Sequence, residues 1–225
     1  MEKSENKNLL LQRKNFDEYS ANINDSRYRK VFKIIKKIKH GKFLEIGCSS
    51  GNFLEKVEKL SFQVQGLEIS DRAAEKGRKK RLDIKTGDAT RSFPFSKNSF
   101  DVILAGEIIE HTFDDGEFLK KIHNLLKPNG TLIITTPNLI SLKNRILMLF
   151  GQNPRFAIAP YHYKVYTPNL IRELFRKSTF NSFKLTGNYI IYSKNREPIL
   201  GSFFEWLGER FPGLAEHFIV VARKK

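Results

Sequence analysis

The amino-acid sequence predicts a doubly wound α/β domain, in which helices cover both faces of a mainly parallel sheet. Short apolar runs alternate with segments of helical period from Lys42 onward, which is typical of strand–helix–strand crossover units. Right-handed crossovers then place the helices on both faces of the sheet. A chain of 225 residues can build one such core but not two ordinary enzyme domains, so we expect a single domain over residues 1–225.

Four segments are expected along the chain. Residues 1–25 are polar and lack periodicity, which indicates a mobile arm. Residues 26–138 carry the alternating strands and helices of the core. Residues 139–166 break this pattern with an apolar stretch, prolines and aromatics, and we expect them to cover the carboxyl edge of the sheet, where open α/β sheets bind ligands. Residues 167–225 supply a C-terminal helix and strands.

Each element has a local signal. Apolar residues at helical spacing predict a first helix from Tyr28 whose lysines face water. Thr167 and Pro168 fit the N-cap and first position of a later helix. The predicted strands are Lys42–Ile46, Gln63–Glu68, Asp83–Thr86, Phe100–Ala105, Thr131–Thr135, Ser182–Leu185 with an extension to Ile191, and His217–Ala222.

Composition excludes several classes of protein. Hydrophobic residues at 40% and charged residues at 28% rule out collagen-like, coiled-coil and wholly disordered chains. The single cysteine, Cys48, excludes an intramolecular disulfide and paired-cysteine redox chemistry, so we expect a reducing, cytoplasmic location. No run approaches the ~20 apolar residues that cross a bilayer, and the N-terminus lacks the apolar core of a signal peptide. We therefore expect no stable membrane insertion and no export.

A formal net charge of +16 would attract nucleic acid, anionic lipid or phosphorylated substrates. The basic residues concentrate in Arg29–Lys42 and Lys76–Lys85, but a lysine-rich surface is also an ordinary solvated one. For the first helix, packing on the sheet is favoured over attachment to a membrane. Charge alone therefore leaves the partner open.

A glycine-bounded loop follows the first predicted strand. Gly47 and Gly51 allow the backbone to approach a ligand where a Cβ would obstruct it. Ser49 stands where the dinucleotide fingerprint has its second glycine, and the Gly-Lys-Ser/Thr ending of a P-loop is missing. Glu68 ends the second strand and can accept hydrogen bonds from both ribose hydroxyls. Asp88 follows the third strand and is placed to accept from an adenine amine.

With these motifs the chain resembles the class I S-adenosylmethionine-dependent methyltransferases over residues 28–138. Phe100-Asp-Val-Ile, Ala105-Gly-Glu and Leu126-Lys-Pro-Asn-Gly-Thr-Leu are similar to the family's fourth-strand and fifth-strand motifs. The resemblance implies a Rossmann-like, seven-stranded sheet whose last strand is antiparallel, with S-adenosylmethionine as cofactor and S-adenosylhomocysteine as product. It also implies the cofactor-binding residues Glu45, Gly47, Cys48, Ser49, Gly51, Glu68, Ile69, Asp88, Ala89, Ala105 and Glu107. Cys48 and Ser49 depart from the usual loop and restrict it slightly.

Acidic and histidine residues follow the fourth strand. Glu107, Glu110 and His111 have i, i+3, i+4 spacing, so they share one face if the segment is helical. With His162 from the covering segment they suit a general base or a hard metal such as Mg²⁺. These four residues resemble the magnesium pattern of small-RNA 3′-terminal 2′-O-methyltransferases. The same region is also similar to ubiquinone-pathway and cell-surface-sugar O-methyltransferases, so the metal stays open.

The resulting prediction is methyl transfer from S-adenosylmethionine to a hydroxyl oxygen of a small molecule. His111 is the predicted base and His162 assists it, while Phe156, Tyr161 and Tyr163 shape the acceptor pocket. The alternatives are a metal-assisted RNA ribose 2′-O-methyltransferase and a non-catalytic cofactor-binding module. Nitrogen and carbon acceptors stay open, and the protein is expected to be a monomer or homodimer. Trp206 is expected in the core or at a dimer contact, with base stacking as an alternative.

Overall fold

A computed structural model describes residues 26–38, 40–155, 162–180, 182–190 and 198–225, with only the backbone described at 198–200. The strands are β1 (Gly41–Ile46), β2 (Phe62–Glu68), β3 (Ile84–Thr86), β4 (Phe100–Gly106), β5 (Leu126–Pro137), β6 (Ser182–Gly187) and β7 (His217–Arg223). The α-helices are α1 (Ser26–Ile35), α2 (Asn52–Glu58), α3 (Asp71–Lys79), α4 (Asp115–Leu125), α5 (Leu142–Leu149), α6 (Pro168–Lys177) and α7 (Pro198–Arg210). Single 3₁₀ turns span Ile109–His111 and Pro212–Leu214.

The strands form one sheet in the order β3-β2-β1-β4-β5-β7-β6. Strands β1 to β5 pair in parallel, and β7 is antiparallel to both β5 and β6. This confirms the predicted seven-stranded, mainly parallel sheet with an antiparallel last strand. The order reverses between β1 and β4, and that switch point is where open α/β sheets place their ligands.

Apolar side chains of the strands alternate between two cores, one on each face of the sheet. On β1, Phe43 belongs to one core and its neighbour Leu44 to the other, as the two-residue period of a strand requires. Phe53 of α2 packs in the first core, and Phe118 of α4 packs in the second. Helices therefore cover both faces, as the sequence predicted.

The first helix differs from expectation in the environment of its basic residues. Lys30 is buried, so the prediction that the lysines of this helix all face water was wrong. Its Nζ donates to the carbonyl of Gly187 and to Oγ1 of Thr186, and it pairs with Glu209 at 3.0 Å. Burial lowers the pKa of Lys30 despite that pairing. All three partners of Lys30 are distant from it in sequence. The periodicity of the helix therefore gives no information about these contacts.

Smaller differences concern the ends of elements. Strand β5 runs over Leu126–Pro137 rather than Thr131–Thr135, with a register shift against β4 near its start. Strand β6 ends at Gly187, so the described chain does not carry the predicted extension towards Ile191. Trp206 is 55% exposed, which removes it from the core.

Residues 1–25, Phe156 and Tyr161 lie outside the described residues. Among the described helices, none has the length and apolar character needed to span a bilayer.

Candidate functional site

The site is built where β1 and β4 end side by side at the switch point. Ile46, the last residue of β1, pairs with Ala105 of β4, so the segments that follow both strands leave the sheet together. Gly47 has φ +74°, and a Cβ there would clash with the side chain of Ile108. Gly51 has φ +75° and a Cβ there would clash with Leu82. At both predicted glycines the backbone conformation itself therefore favours glycine.

Glu68 lies at the end of β2 and faces the glycine loop. Its side chain is buried, and Oε2 accepts a 2.7 Å hydrogen bond from the amide of Ser49. Oε1 accepts a 2.9 Å hydrogen bond from the amide of Ser70. A carboxylate can accept several hydrogen bonds at once, including those from ribose hydroxyls, which is the role predicted for Glu68. The carboxylate is thus held in place before any ligand arrives.

Two further loop residues have unusual surroundings. Glu45 is buried, and among the described residues its Oε2 has no hydrogen-bond partner. Burial and the nearby charge of Glu68 raise the pKa of Glu45 well above its usual value. Burial also raises the pKa of the Cys48 thiol, with Glu45 and Glu68 adding to the effect. Cys48 is therefore a buried thiol and not an activated nucleophile.

The third predicted acid lies beside Glu68. Gly87 donates its amide to the carbonyl of Glu68, which ties the segment after β3 to the end of β2. Asp88 comes next and accepts from the amide and hydroxyl of Thr90 at 2.9 and 2.7 Å. Ile69 and Ala89 are half-buried at these strand ends. Three successive strand ends therefore bring the predicted cofactor residues to one edge of the sheet.

Three predicted residues beyond β4 come together, and we call them the acid–histidine cluster: Glu110, His111 and His162. One ligand atom from each lies within 4.8 Å of the others. The two imidazole rings are 4.7 Å apart at 73°. The amide of Tyr163 donates to the carbonyl of Glu110 at 2.9 Å, which holds the segment carrying His162 over the turn. The fold therefore places His162 beside Glu110 and His111.

Glu110 is the buried member of this cluster. Its Oε2 accepts from the hydroxyl of Thr136 at 2.9 Å, while Oε1 has no hydrogen-bond partner among the described residues. Burial and the charge of Glu107 raise the pKa of Glu110 well above its usual value. A cavity of about 10 Å³ lies against Glu110, Thr136 and His162, enough for one water molecule or ion. A carboxylate oxygen with two imidazoles is a donor set that suits a divalent cation.

Glu107 does not join this cluster, contrary to expectation. Strand β4 ends at Gly106 and the helical turn covers only Ile109–His111, so the i, i+3, i+4 spacing does not produce one helical face. Glu107 instead has φ +58° and forms a 2.9 Å ion pair with Arg27 of α1. Its other contacts are Thr135 at 3.0 Å and His217 at 3.6 Å. Burial alone would raise the pKa of Glu107, but the charges of Arg27 and His217 hold it below its usual value.

Comparison with known proteins identifies the family of this chain. The family described as a methyltransferase domain matches residues 12–184. This chain belongs to that methyltransferase family. The predicted class I S-adenosylmethionine-dependent methyltransferase is thereby confirmed, together with its cofactor.

Individual relatives of this methyltransferase agree with that assignment. A ubiquinone biosynthesis O-methyltransferase of Pelagibacter ubique is 35% identical over 133 residues, which are 57% of this chain and 54% of that protein. One from Caulobacter vibrioides is 37% identical over 101 residues, 42% of this chain and 40% of that protein. The chain thus spans about half or less of the curated relatives it matches.

Solved structures confirm the fold of the methyltransferase. A SAM-dependent methyltransferase from Archaeoglobus fulgidus has a TM-score of 0.65 at 19% identity, over 96% of this chain and 99% of that one. Phosphoethanolamine N-methyltransferase 2 of Haemonchus contortus, in complex with S-adenosyl-L-methionine, has a TM-score of 0.60 at 19% identity, over 88% of this chain and 52% of that one.

Some residues of the methyltransferase site had no signal in the sequence. Arg27 and Thr136 are fixed to the acids after β4 by contacts between distant parts of the chain. Phe113 is exposed and its ring stacks on Tyr163 with centroids 3.9 Å apart, beside the acid–histidine cluster. Tyr163 was predicted to line the acceptor pocket, and Phe113 was not. Only an alignment of relatives could have marked these residues beforehand.

Proposed function

We propose that this methyltransferase transfers a methyl group from S-adenosylmethionine to a hydroxyl oxygen of a small-molecule acceptor. The observation that carries the proposal is the acid–histidine cluster at the switch point, directly after the strand that adjoins the glycine loop. Methyl transfer to a hydroxyl needs a group that takes the hydroxyl proton, and the cluster supplies candidates beside the cofactor loop.

The cofactor residues have separate roles in this proposal. Glu68 holds the ribose hydroxyls and Asp88 accepts from the adenine amine. The backbone at Gly47 and Gly51 admits the methionine part. When bound, S-adenosylmethionine supplies a methyl group that its sulfonium charge has already activated. Proximity and orientation then provide much of the rate acceleration.

His111 acts as the base in the proposed reaction, with His162 next to it. A neutral imidazole can accept the hydroxyl proton, and the second ring restricts how the first one turns. The same side chains with Glu110 also suit a divalent cation, which would lower the pKa of a bound hydroxyl. Both mechanisms, with the imidazole as base or with a bound cation, place the acceptor oxygen at the acid–histidine cluster. They differ in how the reaction responds to a chelator.

Two findings favour a small hydroxylated acceptor over RNA. The relatives from Pelagibacter ubique and Caulobacter vibrioides are named as O-methyltransferases of ubiquinone biosynthesis. The RNA alternative was based on a four-residue metal pattern, and the fold gathers three of those residues while Glu107 pairs with Arg27. The charge of +16 is the remaining support for RNA.

The test is transfer of radiolabelled methyl from S-adenosylmethionine into a cell extract that is then separated into RNA, protein and small-molecule fractions. Parallel reactions contain magnesium or EDTA. We expect label in the small-molecule fraction, in a product whose methyl group is bonded to oxygen. The variant His111→Ala should lose this label, whereas His123→Ala on α4 should keep it. Label in RNA, or a labelled product methylated on nitrogen or carbon, would contradict the proposal.

A further inference from the structure

Helix α5 has the reverse of the usual distribution of polar and apolar residues. It starts just after β5, at the edge of the sheet that carries the site, and the side chain it buries is Asn144. Leu149 is 80% exposed and the next residue, Phe150, is 76% exposed. Ile146 and Met148 are also exposed. Surface helices of globular proteins normally bury the apolar residues and expose the polar ones. The exposed apolar surface of this helix therefore indicates a binding surface.

The orientation of α5 is fixed by the buried polar residue. Nδ2 of Asn144 donates to the carbonyl of Asn138 at 3.1 Å, and the Asn144 amide donates to Oγ of Ser141 at 3.3 Å. Oδ1 of Asn144 accepts from the amide of Arg155 at 2.9 Å. These bonds tie the first turn of α5 to the chain just after β5, and they hold Arg155 against that turn. The outward apolar side is therefore a consequence of the fold.

The chain segment that carries this helix is strongly basic in sequence, and Glu216 from further along the chain pairs with Lys143 of α5 at 3.6 Å. No aspartate or glutamate occurs between Glu117 and Glu173, although lysines and arginines recur throughout that stretch. Arg145 and Arg155 are exposed at either end of the apolar residues. A second copy of the same surface would bring like charges together, whereas an anionic surface would complement them.

We propose that the α5 face, defined as Ile146, Met148, Leu149 and Phe150, docks the protein on a lipid bilayer that contains anionic headgroups. The apolar side chains enter the boundary between headgroups and acyl chains, and the arginines contact the headgroups. This is attachment to a surface, and it requires no helix that spans the bilayer. The proposal does not depend on the identity of the methyl acceptor.

The test is flotation of the purified full chain with vesicles, without cofactor or acceptor. One set of vesicles is about one-third phosphatidylglycerol in phosphatidylcholine, and the other is phosphatidylcholine alone. The test variant is Leu149→Ser with Phe150→Ser. Its matched control is Phe203→Ser with Trp206→Ser on α7, where the replaced side chains are 51% and 55% exposed. All four positions are exposed, and thermal unfolding of each variant checks that the fold is kept.

We expect the wild type to float with the anionic vesicles and less with the neutral ones. The Leu149/Phe150 variant should lose at least about tenfold in partition coefficient, because two large apolar side chains no longer enter the bilayer. The Phe203/Trp206 variant should bind like the wild type, and added salt should weaken binding. Absence of binding by the wild type, or equal losses in both variants, would overturn the proposal. Unchanged vesicle binding with a dimer converted to monomer would also overturn it, because the α5 face would then join two copies.

Discussion

The backbone amide of Ser49 donates a 2.7 Å hydrogen bond to Oε2 of Glu68, joining the loop after β1 to the end of β2. Ser49 has φ +50°, in the left-handed region that a serine seldom adopts. This hydrogen bond helps to compensate for that strain. The carboxylate and the loop therefore fix each other, and the candidate cofactor site is organised before ligand binding.

The ion pair of Arg27 with Glu107 gives a prediction on stability. Arg27→Ala leaves the half-buried carboxylate of Glu107 without its guanidinium partner, and we expect a loss of about 3 kcal/mol in the free energy of unfolding. The double variant Arg27→Met, Glu107→Gln should recover much of this loss, because it removes both charges. Urea denaturation of the wild type and both variants measures these changes in the free energy of unfolding.

An exposed ion pair provides the control for that measurement. Lys79 pairs with Glu75 four residues earlier on α3, and both side chains are largely exposed. Lys79→Ala should cost no more than about 0.5 kcal/mol. If Arg27→Ala costs as little as Lys79→Ala, the contact with Glu107 does not anchor α1.

Glu45 makes stability depend on pH. Its pKa in the folded protein is raised well above the usual 4.5, so the unfolded chain releases this proton at a lower pH than the folded protein does. The free energy of unfolding should therefore fall as pH rises from about 4.5 through the raised value, by at most about 1.4 kcal/mol for each pH unit. Glu45→Gln cannot ionise and should show a smaller decline, of which the raised pKa of Glu110 remains one source. Urea midpoints at acidic and alkaline pH, without cofactor, measure the effect.

The exposed Glu75 is the matched control for Glu45, since its pKa is lowered by Lys79 rather than raised. Glu75→Gln should not gain stability relative to the wild type at alkaline pH. A wild type and a Glu45→Gln variant with parallel pH profiles would show that burial does not perturb the Glu45 carboxyl.

His111→Ala tests the proposed base. If the imidazole takes the acceptor proton, we expect turnover to fall about 100-fold or more while the affinity for S-adenosylmethionine is kept. Single-turnover rates with the labelled acceptor fraction and a cofactor titration measure the two quantities. His123→Ala should leave both unchanged, since His123 packs against Phe180 away from the site. Equal turnover of His111→Ala and wild type would leave proximity as the source of the rate.

Most of the fold could be predicted because its signals are local. The alternation of apolar runs located all seven strands to within a few residues, except for the longer β5. Thr167 caps α6 as its position before a proline suggested, with its hydroxyl accepting from the amide of Leu170. The loop glycines and Glu68 lie at strand ends, so parallel pairing alone brings them to one edge of the sheet.

The remaining features depend on contacts between distant residues. Lys30 is buried because Gly187, 157 positions later, accepts from its ammonium group. Glu107 turns towards Arg27 because its backbone leaves the strand with a positive φ, which residue spacing does not encode. From the sequence alone, the apolar residues of α5 would be expected to be buried. In the structure the helix is oriented by the burial of Asn144, which leaves the apolar side exposed.

The most direct test of the account is calorimetric titration of S-adenosylmethionine into the wild type and Glu68→Ala, with Glu75→Ala as the exposed control. The wild type should bind, because the loop and Glu68 form one organised site. Loss of the ribose contact should weaken Glu68→Ala by ~1.5–3 kcal/mol, which is roughly 10- to 150-fold in affinity. Glu75→Ala should bind like the wild type. Equal affinity of Glu68→Ala and wild type would contradict the assignment of the cofactor site.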